Sequence, residues 1–489
     1  MQPRSDRSHR HHALAGALLL GLALSACSLD RFEHQECTSN QQCRAALGFG
    51  AVCGDEGLCV EAPKTARCAS TYPDDLFTNP ERHRDTVVLG SLMDRSAAAH
   101  VVREKATRLA VKQANAQGGL DGHRVALVMC DIREDSNLDD QKRTAAAISS
   151  ANHLARVLGV PAIIGPSASA DVEQVWQALR DAGSLVMSPA ATSPTLSNLE
   201  GNTSNDSPGL LWRAAPDDSG QGRVIADDML ERKVSRAIVI REVGAYGEGL
   251  AGVFAERFRR GGGNLELVSI SSVEQARNAG AMNISDEDPA EVLFISSQQA
   301  WIVEYLKAAS AQTTFDNRTL FLTDAAANQS VLTDAGATNL YPRVRGTRPA
   351  PRDSSDYVFA SFIADYRAEY QDMSPTAATF SAHAFDATWL TLYGAAASLF
   401  DEGRVTGAGI SRGLRRMSSG KEVSIVPASW PGVVASFRAK QTMNVRGASG
   451  DLDYHPQTRQ LVSPIEIWTI SANGGQFAMV PLSVRTPRD

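Results

Sequence analysis

Thr86-Val87-Val88-Leu89-Gly90, a helical stretch that stops at Gly118-Gly119, and then Val125-Ala126-Leu127-Val128-Met129 form the passage that decides the fold. Short apolar runs rich in β-branched residues, with no polar alternation, are strands buried on both faces. Between them Val102, Ala106, Leu109 and Ala110 recur at helical spacing, and the paired glycines end the helix. The unit then repeats. A helix over residues 141–157 leads to Ala162-Ile163-Ile164-Gly165, and Val172, Val175, Trp176 and Leu179 mark another helix before Leu185-Val186-Met187. Such β-α repeats predict a parallel sheet covered by helices on both sides.

A second series begins after Asp218. Ala237-Ile238-Val239-Ile240 is followed by a helix with Leu250, Val253, Phe254 and Phe258 on one face, which ends at Gly261-Gly262-Gly263. Leu265-Glu266-Leu267-Val268-Ser269-Ile270, Val292-Leu293-Phe294-Ile295 and Thr319-Leu320-Phe321-Leu322 add strands. Two successive sets in 489 residues, too many for one core, predict two similar lobes. Residues 201–208 read as a polar surface loop, the Pro- and Arg-rich residues 343–353 as a change of lobe, and residues 357–370 and 383–400 as helices. The expected fold class is α/β, with two doubly wound parallel-sheet lobes. Residues 84–215 and 347–446 are expected in the first lobe and residues 216–346 and 447–489 in the second. Three hinge crossovers, near Ala215, Gly346 and Gly447, would join them.

The chain upstream has a different character. A basic start gives way to an apolar run over residues 13–26, short of the roughly 20 residues that span a bilayer but suited to the centre of a secretory signal. It closes in Leu24-Ser25-Ala26-Cys27, which resembles the lipobox of a bacterial lipoprotein: a Leu, two small residues and a Cys. The resemblance implies that residues 1–26 are removed and that Cys27 becomes the lipidated first residue, holding the protein at the periplasmic side of a membrane. An ordinary cleaved signal is the alternative. Cys37, Cys43, Cys53 and Cys59 then crowd among Gly48, Gly50, Gly54 and Gly57. Residues 27–68 are too few for a core and read as a stalk stapled by two disulfides, with three pairings open. Zinc is the competing reading, but the gaps between these cysteines miss the usual paired spacing of about two to four residues. Cys68 and Cys130 remain, and a bridge between them is expected, with a buried thiol at Cys130 as the alternative.

Composition narrows the function. At 43% hydrophobic and 21% charged residues the body is an ordinary folded one, and a net charge of −7 offers no basic surface for nucleic acid. No later apolar stretch reaches membrane-spanning length, so attachment rests on lipid.

Six motifs recur in a telling order: Ala114-Asn115-Ala116-Gln117-Gly118-Gly119-Leu120-Asp121-Gly122, Ile164-Gly165-Pro166-Ser167-Ala168-Ser169, Ser188-Pro189-Ala190-Ala191-Thr192, Arg213-Ala214-Ala215-Pro216-Asp217-Asp218, Tyr246-Gly247-Glu248-Gly249-Leu250-Ala251 and Gly447-Ala448-Ser449-Gly450-Asp451-Leu452. Residues 85–470 thereby resemble the leucine/isoleucine/valine-binding family of type I periplasmic substrate-binding proteins, which serve ABC transporters. The resemblance implies a small-molecule ligand, an amino acid of branched-chain or small polar type, held between lobes without chemistry or cofactor and passed to an ABC permease in the inner membrane.

The residues support a grip on a small zwitterion. Ser167 and Ser169 lie where a strand turns into a helix, so hydroxyls and N–H groups meet the positive end of the helix dipole, a place for a carboxylate. Plain helix capping is the other reading of these serines. Ala190 and Thr192 end another strand, where ligands of open α/β sheets gather, and the resemblance gives Ala190 a backbone contact and Thr192 a hydroxyl and amide contact. A turn without ligand role competes. Tyr246 stands at a strand-to-helix junction of the second lobe, as a lid over the ligand or a buried structural tyrosine. Asp324 follows the strand ending at Leu322, where the family keeps an acid for the ligand's ammonium; an exposed loop carboxylate or a helix cap is the alternative.

Two places depart from the family. Leu92-Met93-Asp94-Arg95-Ser96 replaces a small Ser-Gly turn with a nearby aromatic, and Ser296-Ser297-Gln298-Gln299 stands where aromatics are frequent. Gln298 is therefore a candidate contact for a polar ligand side chain, with a rearranged pocket wall as the alternative. A ligand without an amino group, such as a small carboxylate or amide, is a second possibility, and a sensor lobe serving a signalling partner would share the fold and the grip.

An enzyme is disfavoured. No G-x-G-x-x-G opens a strand-to-helix turn, since Gly247-Glu248-Gly249-Leu250-Ala251-Gly252 falls within the helix that carries Leu250, Val253 and Phe254; Gly409-Ile410-Ser411-Arg412-Gly413 spells G-x-S-x-G but follows no apolar strand, the context a nucleophile elbow needs; there is no G-x-x-x-x-G-K-[ST] and no H-E-x-x-H, and His383 precedes the apolar Phe385, Trp389 and Leu390 as a packed helix residue would. No metal site is expected. One consequence is testable in cells. Cys27→Ser should move the protein from the membrane fraction to the soluble fraction, because acyl chains at about 0.8 kcal/mol per buried CH₂ are the only anchor the sequence offers; a variant still firmly membrane-bound would remove the lipid anchor.

Overall fold

The computed structural model describes residues 35–487 except 286, 287, 289, 354, 372, 373, 456, 474 and 475. The leader and Cys27 lie outside the described residues. Among the described residues no helix is long and apolar enough to cross a membrane.

Two compact units are present, the first made of residues up to Pro63 with Phe77–Arg84, the second of Lys64–Leu76 with the chain from Asp85 onward. In the first unit Ser39 accepts a hydrogen bond from the N–H of Gln42 and starts the helix Asn40–Leu47, which lies against the antiparallel pair Ala51–Cys53 and Cys59–Glu61. Among the described residues its core cluster is Cys37, Cys43, Leu47, Ala51 and Cys59. Two disulfides, Cys37–Cys53 and Cys43–Cys59, hold it together. All four sulfurs are thus bonded in pairs, leaving no thiolate there for zinc.

The second unit carries two large sheets. In the first, strand Val87–Met93 has Val125–Asp131 on one side and Ala162–Ile164, Leu185–Ser188 and Leu211–Arg213 in succession on the other, all parallel. The second repeats this order. Arg236–Glu242 has Asn264–Ile270 on one side and Glu291–Ile295, Leu320–Leu322 and Val344–Pro349 on the other. Each sheet therefore winds in two directions from its first long strand. Val125–Asp131 and Leu185–Ser188 are buried at every position, as strands covered on both faces must be. Antiparallel strands finish the edges: Ser70–Tyr72 beside Val125–Asp131, and the hairpin Ile465–Asn473 with Gln476–Arg485 beside Val344–Pro349.

Helix Ser381–Glu402 runs through the core of the first lobe with Trp389, Leu390 and Tyr393 fully buried. Trp430 stacks on Tyr393 and donates its indole N–H to the carbonyl of Gly119, which is why the Ala114–Gly122 motif sits where it does. The chain passes between sheets after Arg213 and again after Pro349. The third passage lies beyond Leu461 and not at Gly447: Ala448, Leu452, Tyr454 and Leu461 belong to the first lobe's core, and the second sheet resumes at Ile465. The reason is a buried carboxylate. Asp386 accepts from the N–H groups of Ala448 (2.9 Å) and Ser449 (2.7 Å) and pins the Gly447 turn to the first lobe. A Cβ at Gly447 would lie 2.2 Å from the Asp386 carboxylate, so only glycine fits.

Residues 64–68, expected to end the stalk, belong with residues 69–76 to this second unit, and Cys68 forms a disulfide with Cys130 on the adjoining strand. The bridge spans 62 residues of chain. A loop of that length implies about 4 kcal/mol of stabilisation by the chain-entropy rule. Replacing both cysteines by serine should lower unfolding free energy by that order in denaturant titrations, and a change below about 1 kcal/mol would show that the edge strand is held by its ladder alone.

Candidate ligand-binding site

The reversal of winding opens a crevice at the carboxyl ends of the strands, between the first strand of each sheet and its neighbour on the longer side. In the first lobe that crevice lies between Met93 and Ile164, and in the second between Glu242 and Ile295. The loops leaving these four strand ends meet across one cleft of about 430 Å³, within the usual range for small-molecule sites.

From the first strand, Asp94 accepts the N–H of Ser96 (3.0 Å) in a tight turn before helix Ala98–Ala116. Across the crevice Gly165 makes the turn into helix Ser169–Leu179. Its φ is +102° and a Cβ there would lie 2.3 Å from the Leu92 carbonyl oxygen, so glycine is required. Ala168, not a serine, occupies the N-cap position, and no side chain caps the helix. Ser167, Ser169 and Ala190 line the cleft. The hydroxyl oxygen of Ser169 accepts the N–H of Ser193 (3.2 Å) and keeps its proton available for another acceptor.

The second lobe supplies a buried acidic corner. Tyr246 and Asp324, 3% and 2% exposed, are hydrogen-bonded hydroxyl to carboxylate; the hydroxyl also lies 2.8 Å from Thr323 Oγ1, and Gln221 donates to Asp324 Oδ1 at 2.9 Å. Burial pushes the Asp324 carboxyl above its ordinary range against these donors. Asp218 lies close by, and burial together with the nearby Asp324 charge pushes its carboxyl up further. Thr192 belongs to that layer. Its hydroxyl donates to Asp218 Oδ2 at 2.8 Å. Of the seven expected contacts, Ser167, Ser169, Ala190, Tyr246, Asp324 and Gln298 line the cleft, and Thr192 stands behind it.

Several lining residues carried no motif. Arg103 is the foremost. It lies 5% exposed on helix Ala98–Ala116, on the same buried face as Ala99, Val102 and Ala106. Its Nε donates to the Thr379 carbonyl (3.0 Å) and the guanidinium sits 5.4 Å from the Phe380 ring centroid. Burial lowers its pKa to about 10, with the Asp324 charge opposing. One turn earlier His100 presents a buried Nδ1 without a partner, held neutral by burial and by the positive charges of Arg103 and Arg143. The signal for Arg103 was its place at helical spacing inside an apolar face, where a long cation has no solvent to reach.

Contacts between lobes close the cleft's sides. Arg143, which pairs with Asp171 at 3.0 Å, also bonds the side-chain oxygen of Gln298. Ser193 donates to the Ala245 carbonyl (2.6 Å), and the N–H of Thr379 donates to Asn328 Oδ1 (2.9 Å). The second lobe braces its own crevice: Ser296 Oγ and the N–H of Ser297 both donate to the buried Glu242 (2.9 and 2.8 Å).

Known proteins share this plan. The family model described as "Receptor family ligand binding region" matches residues 102–472. The Leu/Ile/Val-binding protein of Escherichia coli (strain K12) is 29% identical over 157 residues, 32% of this chain and 38% of that relative, so the match spans about two fifths of the relative's length. A branched-chain amino acid transporter substrate-binding protein from Streptococcus pneumoniae, solved with isoleucine, superposes with a TM-score of 0.59 at 17% identity, over 81% of this chain and 99% of that one. A solute-binding protein of an ABC transporter from R. palustris, solved with benzoate, gives 0.58 at 15% identity, over 82% and 97%.

Thr192→Val separates support from ligand contact. Because the hydroxyl serves buried Asp218, the variant should lose about 1–3 kcal/mol of unfolding free energy in denaturant titrations without any ligand; unchanged stability would leave Thr192 no structural duty. The match over residues 102–472, with two doubly wound lobes facing one cleft, shows that the chain belongs to the receptor-family ligand-binding-region family and has the type I periplasmic binding protein fold.

Proposed function

We propose that this protein captures a small ligand, an amino acid, between its two lobes outside the cytoplasm and delivers it to an ABC permease. The observation that carries this reading is the opposition of two chemically distinct corners across one cleft. On one side stand the hydroxyls of Ser167 and Ser169 at an uncapped helix start, suited to a carboxylate. On the other stands Asp324 with Tyr246, suited to an ammonium. The corners belong to different lobes, so a ligand touching both favours the closed arrangement by the contacts it gains only there. Relatives named for leucine, isoleucine and valine binding and a fold neighbour solved with isoleucine support an amino acid.

Lipid on Cys27 would hold the protein at the periplasmic face of a membrane, with the disulfide-stapled module following it. The oxidised state of Cys37, Cys43, Cys53, Cys59, Cys68 and Cys130 supports an extracytoplasmic site. The function needs no catalysis and no cofactor. A fold neighbour solved with benzoate favours a second reading, in which the ligand is a small carboxylate without an amino group.

Asp324 separates the two. An amino acid that binds should raise the melting temperature by mass action. Asp324→Ala should remove most of that rise and weaken binding at least about tenfold, since truncating one partner of a buried charge pair costs about 2–5 kcal/mol. Circular dichroism of the apo variant checks that it is folded. Unchanged affinity in Asp324→Ala would make the carboxylate without an amino group the better ligand.

A further inference from the structure

We infer that the ligand carries a second anionic group and that Arg103 receives it, which makes an acidic L-amino acid the class of substrate. The inference rests on the cleft being an amino-acid site, and it adds what the site asks of the side chain.

Arg103 lines the cleft and is all but buried. Its Nε is used by the Thr379 carbonyl, but among the described residues Nη1 and Nη2 have no hydrogen bond and no carboxylate within ion-pair distance. Four terminal N–H donors are thereby left to the cleft in a rigid fork that suits a carboxylate. A buried guanidinium without an anionic partner is costly. Asp324, which also lines the cleft, is the carboxylate whose charge acts on Arg103 through space. An ammonium seated on Asp324 would take up that charge and leave Arg103 facing a second cation.

The cleft's other buried carboxylates are engaged. Asp94 accepts from Ser96, Asp171 pairs with Arg143, and Asp218 accepts from Thr192. An anion on the ligand itself therefore completes the balance: α-carboxylate to the Ser169 corner, ammonium to Asp324, side-chain carboxylate to Arg103. His100, one helical turn from Arg103, also lines the cleft. The lining gives little to a branched aliphatic chain, because among the described residues its large apolar side chains are Val303 and Phe380, beside the Tyr246 ring.

Calorimetry on the folded, signal-free protein with L-glutamate, L-aspartate, L-glutamine, L-asparagine and L-leucine tests this. The acid should bind at least about tenfold more tightly than its amide, which differs only in charge. Arg103→Met should abolish the preference, and Arg103→Lys should restore part of it as a point charge without the fork. Melting curves of both apo variants confirm folding. If L-leucine or an amide binds best and Arg103→Met leaves that binding intact, the anionic subsite is wrong while the amino-acid reading stands. If none of the five binds, both fall.

Discussion

Parallel strands put all their carboxyl ends on one edge of a sheet, and a sheet wound in two directions from one strand leaves a gap at that edge where no connection crosses. This constraint is met twice here, and the ligand site depends on both. The strand order of the first sheet around Val87–Met93 is repeated in the second around Arg236–Glu242. Each lobe therefore offers a crevice bounded by one strand-to-helix turn and its neighbour. Ser167, Ser169 and Tyr246 are at these turns because short glycine-containing connections place them there, and Gln298 because Ser296 and Ser297 tie its turn to the buried Glu242. At Gly165 and Gly247 an added Cβ would lie 2.3 and 2.1 Å from a carbonyl oxygen.

Electrostatics follows from that placement. Several charged groups beside these turns are buried, among them Asp94, Arg103 and Asp324, so they are costly unless matched. The structure matches them in layers. Asp324 is held by Tyr246 and Gln221 and faces Arg103; Asp218 is held by Thr192 and lies within the influence of Arg213. Arg143 and Asp171 form a pair that reaches across to Gln298 in the other lobe. Contacts between the lobes and charge balance are thus parts of one arrangement, and the proposed ligand would be the remaining partner.

Sequence reasoning reached the parallel strands readily, since Val125–Asp131 or Leu185–Ser188 buried on both faces have no polar alternation to confuse. It reached the strand-end candidates because glycines and serines at those ends have a backbone reason to be there. It did less well where a partner lies far along the chain. The disulfide pairings were left open by spacing, and the end of the first lobe was set by Asp386, more than 60 residues before the turn it holds. The C-terminal hairpin Ile465–Asn473 and Gln476–Arg485 carries no strand reading in the sequence, and its outer strand alternates half-buried and exposed positions in place of a dense apolar run. The resemblance assigns the Thr192 hydroxyl to the ligand, and the acceptor it meets in this structure, Asp218, comes 26 residues later. Arg103 was passed over because a single cation on an apolar helix face suggests no site until Phe380, Thr379 and Asp324 are seen around it.

The central claim is that one ligand spans the two corners and is the final charge in the cleft. A crystal structure of the protein with its ligand tests this most directly. The account predicts a carboxylate within about 3 Å of Ser169, the range of charged hydrogen bonds, and a cationic or polar group at Asp324, with the lobes closed around both. A ligand lodged in the apolar hollow beside Phe359 and Ile363, or bound to one lobe alone with Asp324 and Tyr246 untouched, would contradict it.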